Sequence, residues 1–374
     1  MSVTHLLKGL SALKSRFSRS SDFLASRSAF VIPFGFRLGL CVIPMAVITR
    51  YTVVSLGIPE PGYLRSSALC IRSRPYVYHG KHPFTSYPVT QGHEVSGEIV
   101  KLGENVKGFT VGQKITIQPQ VVCGECYPCH HGKYNLCEKL KVMGFQTTGT
   151  ASEYFAVDAA KVTALPEEMS YDEGAMIEPL AVAVHAVKRA GDVKGKIAVL
   201  GAGPIGILVA QTAKGLGAES VMITDVSDLR LEKAKECGVD FCVNTRKKDF
   251  GDAMLEDFGP DKADVIYDCA GNDITMGQAI KYARKGSSII LVAVFAGMAN
   301  IDLAVLNDHE LDLNTSMMYR NEDYIEAIRL VNENKVLLKP LISKHFAFKD
   351  YKAAYEYIDA NRETTMKVIM DIDK

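Results

Sequence analysis

The stretch KIAVLGAGPIGILVAQTAKGLGAESVMITD, residues 196–225, decides how the second half of this chain folds. Its apolar run Ile197–Leu200 predicts a buried strand, and an apolar-periodic helix is predicted over Pro204–Leu216. Between them, the pattern G-x-G-x-x-G lets the backbone turn tightly and approach a pyrophosphate, whose charge would lie at the helix N terminus. The stretch therefore predicts a dinucleotide site, with candidate residues Gly201, Gly203, Pro204, Ile205 and Gly206.

A carboxylate follows this motif at the spacing expected for a ribose contact. The second predicted strand, Ser220–Thr224, leads into Asp225, which can accept hydrogen bonds from a ribose hydroxyl. The same negative charge would repel a 2′-phosphate, so the sequence favours NAD over NADP. Arg230 is the remaining candidate cofactor residue.

Strand and helix signals continue to alternate after Asp225. Mostly apolar runs stopped by Gly or Asn predict further strands at Phe241–Val243, within Asp264–Gly271 and within Ser288–Gly297. This order predicts an α/β domain with a doubly wound parallel sheet, a Rossmann domain, over residues 190–320. The tail 321–374, with two predicted helices and a strand at Lys367–Ile372, is expected to return to the first domain.

Four cysteines lie in the run VVCGECYPCHHGKYNLCEKL, residues 121–140. Their spacing, C-x2-C-x2-C-x7-C, suits a tetrahedral Zn²⁺ with no position left for substrate. A closed zinc site of this kind stabilises a loop. A disulfide framework is disfavoured because the chain is long and holds nine cysteines, an odd number. Ferredoxin-type iron–sulfur spacing places the fourth Cys three residues later and before a proline, unlike here. The predicted structural zinc ligands are Cys123, Cys126, Cys129 and Cys137.

Composition limits the class of protein. The chain has 374 residues, which predicts two domains of ordinary size, and 43 basic residues balance 43 acidic ones. A balanced charge fits a cytoplasmic enzyme of small metabolites, whereas a nucleic-acid binder would show a basic face. No convincing membrane span is found, because prolines, glycines and an arginine interrupt the apolar stretch Ala29–Ile48.

Residues 1–44 differ from the rest in composition. They are basic and contain eight serines and a single acidic residue, Asp22. This is typical of an organellar transit peptide, which would make the protein mitochondrial. The alternative is an upstream artefact, with translation starting near Met45. Under either interpretation the segment is excluded from the fold.

Two further stretches of the sequence suggest a second metal site. His93 and Glu94 lie side by side in QGHEVSGEIVKLGENV, residues 91–106, upstream of the cysteines. Glu178 lies inside a strongly apolar stretch, Met176–Val187, where an unpaired carboxylate is costly. A cation close to Glu178 is the economical explanation.

The order of these motifs resembles the zinc-dependent medium-chain alcohol and polyol dehydrogenases, in the branch of sorbitol dehydrogenase. The resemblance runs from Pro75 to Lys374 and implies a GroES-like, mainly β catalytic domain over residues 45–189. It implies that His93 and Glu94 are ligands of a catalytic zinc, that Glu178 binds this zinc directly or through water, and that the four cysteines hold the structural zinc. It also implies oxidation of a secondary alcohol of a polyol or vicinal diol, with hydride transfer to NAD, in a homo-tetramer.

The sequence departs from this family just before Pro75. Where the family has a Cys-Gly turn that supplies a zinc ligand and a relay serine, an ungapped alignment places Ile71, Arg72 and Ser73, so Cys70 is one residue out of register. Residues 45–74 are atypical, and Tyr51–Arg74 lacks the alternating strands that should begin the domain. Either this segment is misread, or Cys70 reaches the metal through a shifted loop, or the catalytic zinc keeps only three ligands.

Two hypotheses follow from that departure. The first is a functional NAD-dependent polyol dehydrogenase, with threonine 3-dehydrogenase and 2,3-butanediol dehydrogenase as alternatives within the family. The second is a catalytically impaired homologue that still binds NAD and the structural zinc.

Overall fold

The computed structural model describes residues 62–70, 75–80, 85, 87–295 and 297–372, and these fall within one compact unit. The predictions made for residues 1–44 and for Ile71, Arg72 and Ser73 lie outside the described residues. The strands in chain order are β1 (Gly62–Cys70), β2 (Glu94–Lys101), β3 (Lys114–Ile117), β4 (Gln120–Val121), β5 (Lys141–Val142), β6 (Tyr154–Val157), β7 (Val162–Ala164), β8 (Lys196–Leu200), β9 (Ser220–Asp225), β10 (Phe241–Asn244), β11 (Val265–Asp268), β12 (Ser288–Leu291), β13 (Asp312–Thr315), β14 (Ile342–Ala347) and β15 (Lys367–Asp371).

The described α-helices are α1 (Pro75–Tyr78), α2 (Tyr127–His130), α3 (Tyr171–Lys188), α4 (Pro204–Gly215), α5 (Asp228–Glu236), α6 (Phe250–Phe258), α7 (Asp273–Tyr282), α8 (Leu303–Asp308), α9 (Asn321–Asn332) and α10 (Tyr351–Ala360). Short 3-10 helices are interspersed among them, including Tyr134–Leu136. Among the described helices, none combines the length and the apolar character needed to cross a membrane.

The predicted Rossmann sheet is confirmed. Six parallel strands lie in the order β10-β9-β8-β11-β12-β13. This is the doubly wound order, in which the first strand of the domain, β8, lies at the centre of the sheet. The next two strands are added on one side of β8, and the last three are added on the other side. The central strand β8 is buried along almost its whole length, as expected for a strand covered by helices on both faces.

The other large sheet is mainly antiparallel and draws on both ends of the described chain. Its path is β14-β15-β1-β2-β3-β7, and β6 also pairs with β1. The last two strands, β14 and β15, run parallel to each other, and β15 joins the sheet by pairing with β1. The C-terminal segment therefore belongs to this sheet.

The expectation that Tyr51–Arg74 lacks the alternating strands of the domain is wrong for Gly62–Cys70, the part of this stretch that the structure describes. Gly62–Cys70 forms β1, which pairs antiparallel with β2, β6 and β15. Backbone hydrogen bonds to three other strands hold β1 in place. A weak local sequence pattern does not predict such a strand, because strand formation depends strongly on tertiary context.

Helix α3 lies between the two sheets and contacts both halves of the molecule. It contacts β1, β2 and β3 of the mainly antiparallel sheet, and α4 and α9 on its other side. A capping box at Ser170 and Glu173 begins the helix. Most of its residues are buried, so the apolar run that contains Glu178 is a helix enclosed by protein rather than a surface helix.

A buried ion-pair network fastens α9 to α3. The fully buried Asp323 lies 2.8 Å from Nδ1 of His185 and 3.1 Å from Nζ of Lys188, and it accepts the backbone N–H of Arg320 at 2.9 Å. Burial alone would raise the pKa of the Asp323 carboxyl, but these hydrogen bonds and the His185 charge hold the pKa below its usual value. His185 is thus a structural residue.

We predict that Asp323→Ala lowers the free energy of unfolding by about 1–3 kcal/mol, because it leaves the nearly buried His185 imidazole without its hydrogen-bond partner. The folded-state pKa of Asp323 is depressed, so its contribution is present above about pH 4, the range of an unfolded Asp, and is lost as pH falls through the folded pKa. Urea unfolding of zinc-loaded protein at several pH values would measure the gap between the variant and the wild type, which should narrow in acid. The matched control is Asp308→Ala, whose exposed pair with Lys285 at 2.8 Å should shift the midpoint little. Equal midpoints for both variants at pH 7 would contradict the assigned role.

Candidate metal centres and cofactor site

The four predicted cysteines converge in a loop closed by the β4–β5 pair, and we call residues 123–137 the cysteine lobe. Neighbouring sulfurs are separated by 3.4 Å (Cys126 to Cys129), 3.8 Å (Cys126 to Cys137) and 3.5 Å (Cys123 to Cys137). Tetrahedral zinc with Zn–S bonds of about 2.3 Å requires sulfurs about 3.8 Å apart. The spacing fits one enclosed ion and is far longer than a disulfide bond.

Backbone groups of the lobe prepare it for anionic sulfur. The N–H groups of Cys123 and Lys139 point at Cys137 Sγ, at 3.3 and 3.4 Å. The N–H of Glu138 lowers the pKa of Cys126 to about 6, whereas burial raises the pKa of Cys129 to about 12. Four thiolates can therefore coexist here only with a cation, which deprotonates coordinating thiols. The residues present fit a structural zinc.

A second metal-capable set lies where α3 faces the antiparallel sheet. His93 and Glu94, at the start of β2, and Glu178, in α3, place one ligand atom each within 4.8 Å of one another. Nε2 of His93 and Oε1 of Glu94 are 3.9 Å apart. Two ligands with bonds of about 2.0–2.2 Å to one ion must lie within about 4.4 Å of each other, so this pair can share an ion. One imidazole and two carboxylates form a donor set suited to zinc.

The electrostatics of this set also favour a cation. Glu178 is 6% exposed, and burial, with the nearby Glu94 charge, raises its pKa to about 8, against the opposing effects of Tyr319 and Lys367. The Lys367 ammonium lies 2.6 Å from Oε2 of Glu94, and both side chains are 3% exposed. Within the part of the chain that the structure describes, the buried Lys367 pairs with Glu94, and the like charges of Glu94 and Glu178 disfavour ionisation of both together. A bound cation would allow both to ionise.

Two members of the site were missed by the sequence analysis. Lys367 begins the predicted strand Lys367–Ile372, and a lysine between Met366 and the apolar run Val368–Met370 is a detectable signal of a buried charge partner. Tyr319 donates its hydroxyl to Oε1 of Glu178 at 2.5 Å. No local pattern in MMYRN announces that contact, which joins residues 141 positions apart.

The remaining candidate ligand of the catalytic zinc, Cys70, is described by its backbone position only. It is the last residue of β1, and the strand register places it opposite Glu94. The main chain of β1 thus ends beside the metal-capable set. Coordination by the Cys70 thiol and a relay role for Ser73 concern groups outside the description, and both stay predictions.

The glycine motif forms the predicted cradle at the start of α4. Gly201 has φ +100°, a conformation that favours glycine, and a Cβ on Gly206 would lie 1.8 Å from the Gly201 carbonyl oxygen. A Cβ on Gly203 would meet nothing within 4 Å, so the space beside the helix N terminus is open. Pro204 and Ile205 begin the helix, and no side chain caps its free N–H groups. The cradle therefore fits a pyrophosphate.

Asp225 lies at the end of β9, next to that cradle. Its Oδ2 accepts the backbone N–H of Ala202 at 2.8 Å, and its Oδ1 accepts those of Val226 and Ser227 at 2.8 and 2.9 Å. Arg230 of α5 places Nη1 3.8 Å from Oδ2 of Asp225. An ionised carboxylate has about four acceptor positions, so Asp225 keeps capacity for a ribose hydroxyl.

Family models match both halves of the chain. The model described as alcohol dehydrogenase GroES-like domain matches residues 64–167, and that described as zinc-binding dehydrogenase matches residues 204–333. Sorbitol dehydrogenase 1 of Saccharomyces cerevisiae is 34% identical over 76% of this chain and 82% of its own length. A 2-dehydro-3-deoxy-L-galactonate 5-dehydrogenase of Pseudoalteromonas atlantica is 36% identical over 79% of this chain and 86% of its own length.

Solved structures agree with this relationship. An alcohol dehydrogenase from Escherichia coli CFT073 in complex with NADH is 29% identical, with a TM-score of 0.77 over 84% of this chain and 92% of its own. A zinc-binding dehydrogenase candidate from Sinorhizobium meliloti 1021 bound to NADP is 26% identical, with a TM-score of 0.77 over 86% of this chain and 95% of its own. The fold, the motif order and these relatives lead to one assignment. This chain belongs to the zinc-dependent medium-chain polyol dehydrogenase family.

Proposed function

We propose that this chain is a zinc-dependent dehydrogenase that oxidises a secondary alcohol of a polyol or vicinal diol to a ketone, with hydride transfer to NAD. The observation that carries the proposal is the buried set of His93, Glu94 and Glu178 in a chain that also has a glycine cradle. Relatives named for sorbitol and for a galactonate derivative support a polyhydroxylated substrate.

The residues of the site have separate roles in the proposed reaction. His93, Glu94 and Glu178 would hold the catalytic zinc, which when bound supplies the Lewis acidity that makes a substrate hydroxyl more acidic. Lys367 neutralises Glu94, and the Tyr319 hydroxyl orients Glu178. The glycine cradle would hold the pyrophosphate and Asp225 the adenosine ribose, leaving the nicotinamide to accept the hydride.

The choice of NAD rests on Asp225. A carboxylate at the end of β9 suits ribose hydroxyls and opposes a 2′-phosphate. Structural relatives are found with NADH and with NADP, so the preference of this chain is a separate question. Asp225 and the neighbouring neutral Val226 support NAD.

One observation favours a second candidate, an impaired homologue that binds NAD and one zinc. The sequence has Ile71 and Arg72 where the family supplies a cysteine ligand and a glycine. If Cys70 does not reach the metal, His93, Glu94 and Glu178 hold it alone.

We predict two zinc ions per subunit in the wild type and one in His93→Ala, because that variant loses the only imidazole of the second set. Inductively coupled plasma mass spectrometry of dialysed protein would count the ions, and NADH titration by fluorescence would verify folding. The matched control is His130→Ala, an exposed histidine of the cysteine lobe, which should keep two ions. One zinc per subunit in folded wild type would reject the catalytic centre and favour the impaired homologue.

We predict that Asp225→Ser lowers the ratio of kcat/KM for NAD over that for NADP by about ten- to a hundredfold. The expected size follows from losing hydrogen bonds to a charged group, worth about 1.5–3 kcal/mol, where 1.4 kcal/mol is tenfold. Absorbance at 340 nm with saturating polyol would measure both cofactors. Asp308→Ser, an exposed carboxylate, is the control and should leave the ratio unchanged. An unchanged ratio in Asp225→Ser would refute the assigned basis of NAD preference.

A further inference from the structure

We propose that Tyr319 is a positioning residue of the second metal-capable set, and that the cysteine lobe holds Tyr319 in place. The inference rests on the proposed function, because it assigns a purpose to a residue that touches Glu178. Tyr319 lies between β13 and α9, in a segment (residues 317–321) that we call the bridging segment.

The contact between Tyr319 and Glu178 is specific in its geometry. The Tyr319 hydroxyl donates to Oε1 of Glu178 at 2.5 Å, and Tyr319 is completely buried. A carboxylate on a helix has several rotamers, and a donor on one oxygen selects the rotamer and leaves the other oxygen for an ion. Tyr319 therefore holds Glu178 in one orientation, as an outer hydrogen-bond partner does for a metal ligand.

Among the hydrogen bonds to the main chain of the bridging segment, two join it to the cysteine lobe and a third joins it to Gln120. Nδ2 of Asn135 donates to the Met317 carbonyl at 2.9 Å, and the Asn321 N–H donates to the Tyr134 hydroxyl at 2.5 Å. Nε2 of Gln120, just before the lobe, donates to the Tyr319 carbonyl at 2.8 Å. The lobe thus holds the backbone on either side of Tyr319.

Tyr134 and Asn135 lie in the short 3-10 helix directly before the ligand Cys137. Their positions therefore depend on the lobe keeping its shape, which an ion among the four sulfurs would enforce. A continuous path runs from the cysteine cluster through Asn135 and the bridging segment to Tyr319 and Glu178. The closed zinc site, which contacts no substrate, thereby helps to shape the catalytic one.

A second tyrosine supplies the matched control. Tyr267 of β11 is also completely buried and donates its hydroxyl to the Val187 carbonyl of α3 at 3.1 Å. Tyr267→Phe removes the same atom at the same depth but leaves the donor to Glu178 in place.

The test is the affinity and spectrum of the second metal site. We expect Tyr319→Phe to weaken Co²⁺ or Zn²⁺ binding there by about 10- to 100-fold, as for other outer partners of metal ligands, and to shift the visible Co²⁺ bands. Competition with a chelator on protein whose cysteine lobe stays zinc-loaded measures the affinity, and absorption spectra report the ligand field. In the same variant kcat should fall while KM for NAD stays constant. Tyr267→Phe should change neither affinity nor spectrum.

A second variant tests the part played by the lobe. Asn135→Ala should weaken the second site in the same direction, by less than Tyr319→Phe, while the zinc of the lobe is retained. Unchanged affinity and spectrum in Tyr319→Phe would overturn the positioning role, and an unchanged second site in Asn135→Ala would overturn the link to the lobe. If the wild type itself binds a single zinc, the proposed function fails instead, so the two failures are distinguishable.

Discussion

Two neighbouring carboxylates are buried in this molecule, and their like charges need compensation. Glu94 and Glu178 come from different elements, a strand and a helix, and both are nearly excluded from water. Like charges in such surroundings are costly unless cations compensate them. Lys367 compensates one, and the imidazole of His93 completes a donor set for an ion that would compensate the other. In the proposed reaction, such an ion would supply the Lewis acidity that makes a substrate hydroxyl more acidic.

Helix α3 brings the two carboxylates together. It contacts the mainly antiparallel sheet and the helices of the Rossmann half, so its side chains are shared by both. Asp323 joins His185 and Lys188 of α3 to the helix that follows the bridging segment. The element that carries Glu178 is therefore fastened to the segment that carries Tyr319, and their hydrogen bond is supported from both sides.

The two metal sites differ in how much of their design is local. The cysteine lobe is one short loop closed by the β4–β5 pair, and its ligand spacing is a matter of covalent chain length. The second set takes Glu94 from β2, His93 from just before β2 and Glu178 from α3, and Lys367 of β15, the partner of Glu94, lies 273 positions from it along the chain. Only the folded sheet brings them into contact.

The sequence by itself indicated the dinucleotide cradle, the alternation of strands and helices of a parallel sheet, the closed cysteine site and the candidates His93, Glu94 and Glu178. These features depend on short-range patterns: glycine spacing, apolar periodicity, ligand spacing and an isolated carboxylate in an apolar run. The strand β1, the choice of Glu94 as the partner of Lys367 and the Tyr319 hydrogen bond were decided by tertiary structure. Each joins groups far apart in the chain, and the free energy that selects them comes from burial and pairing in the folded state, which no local window contains.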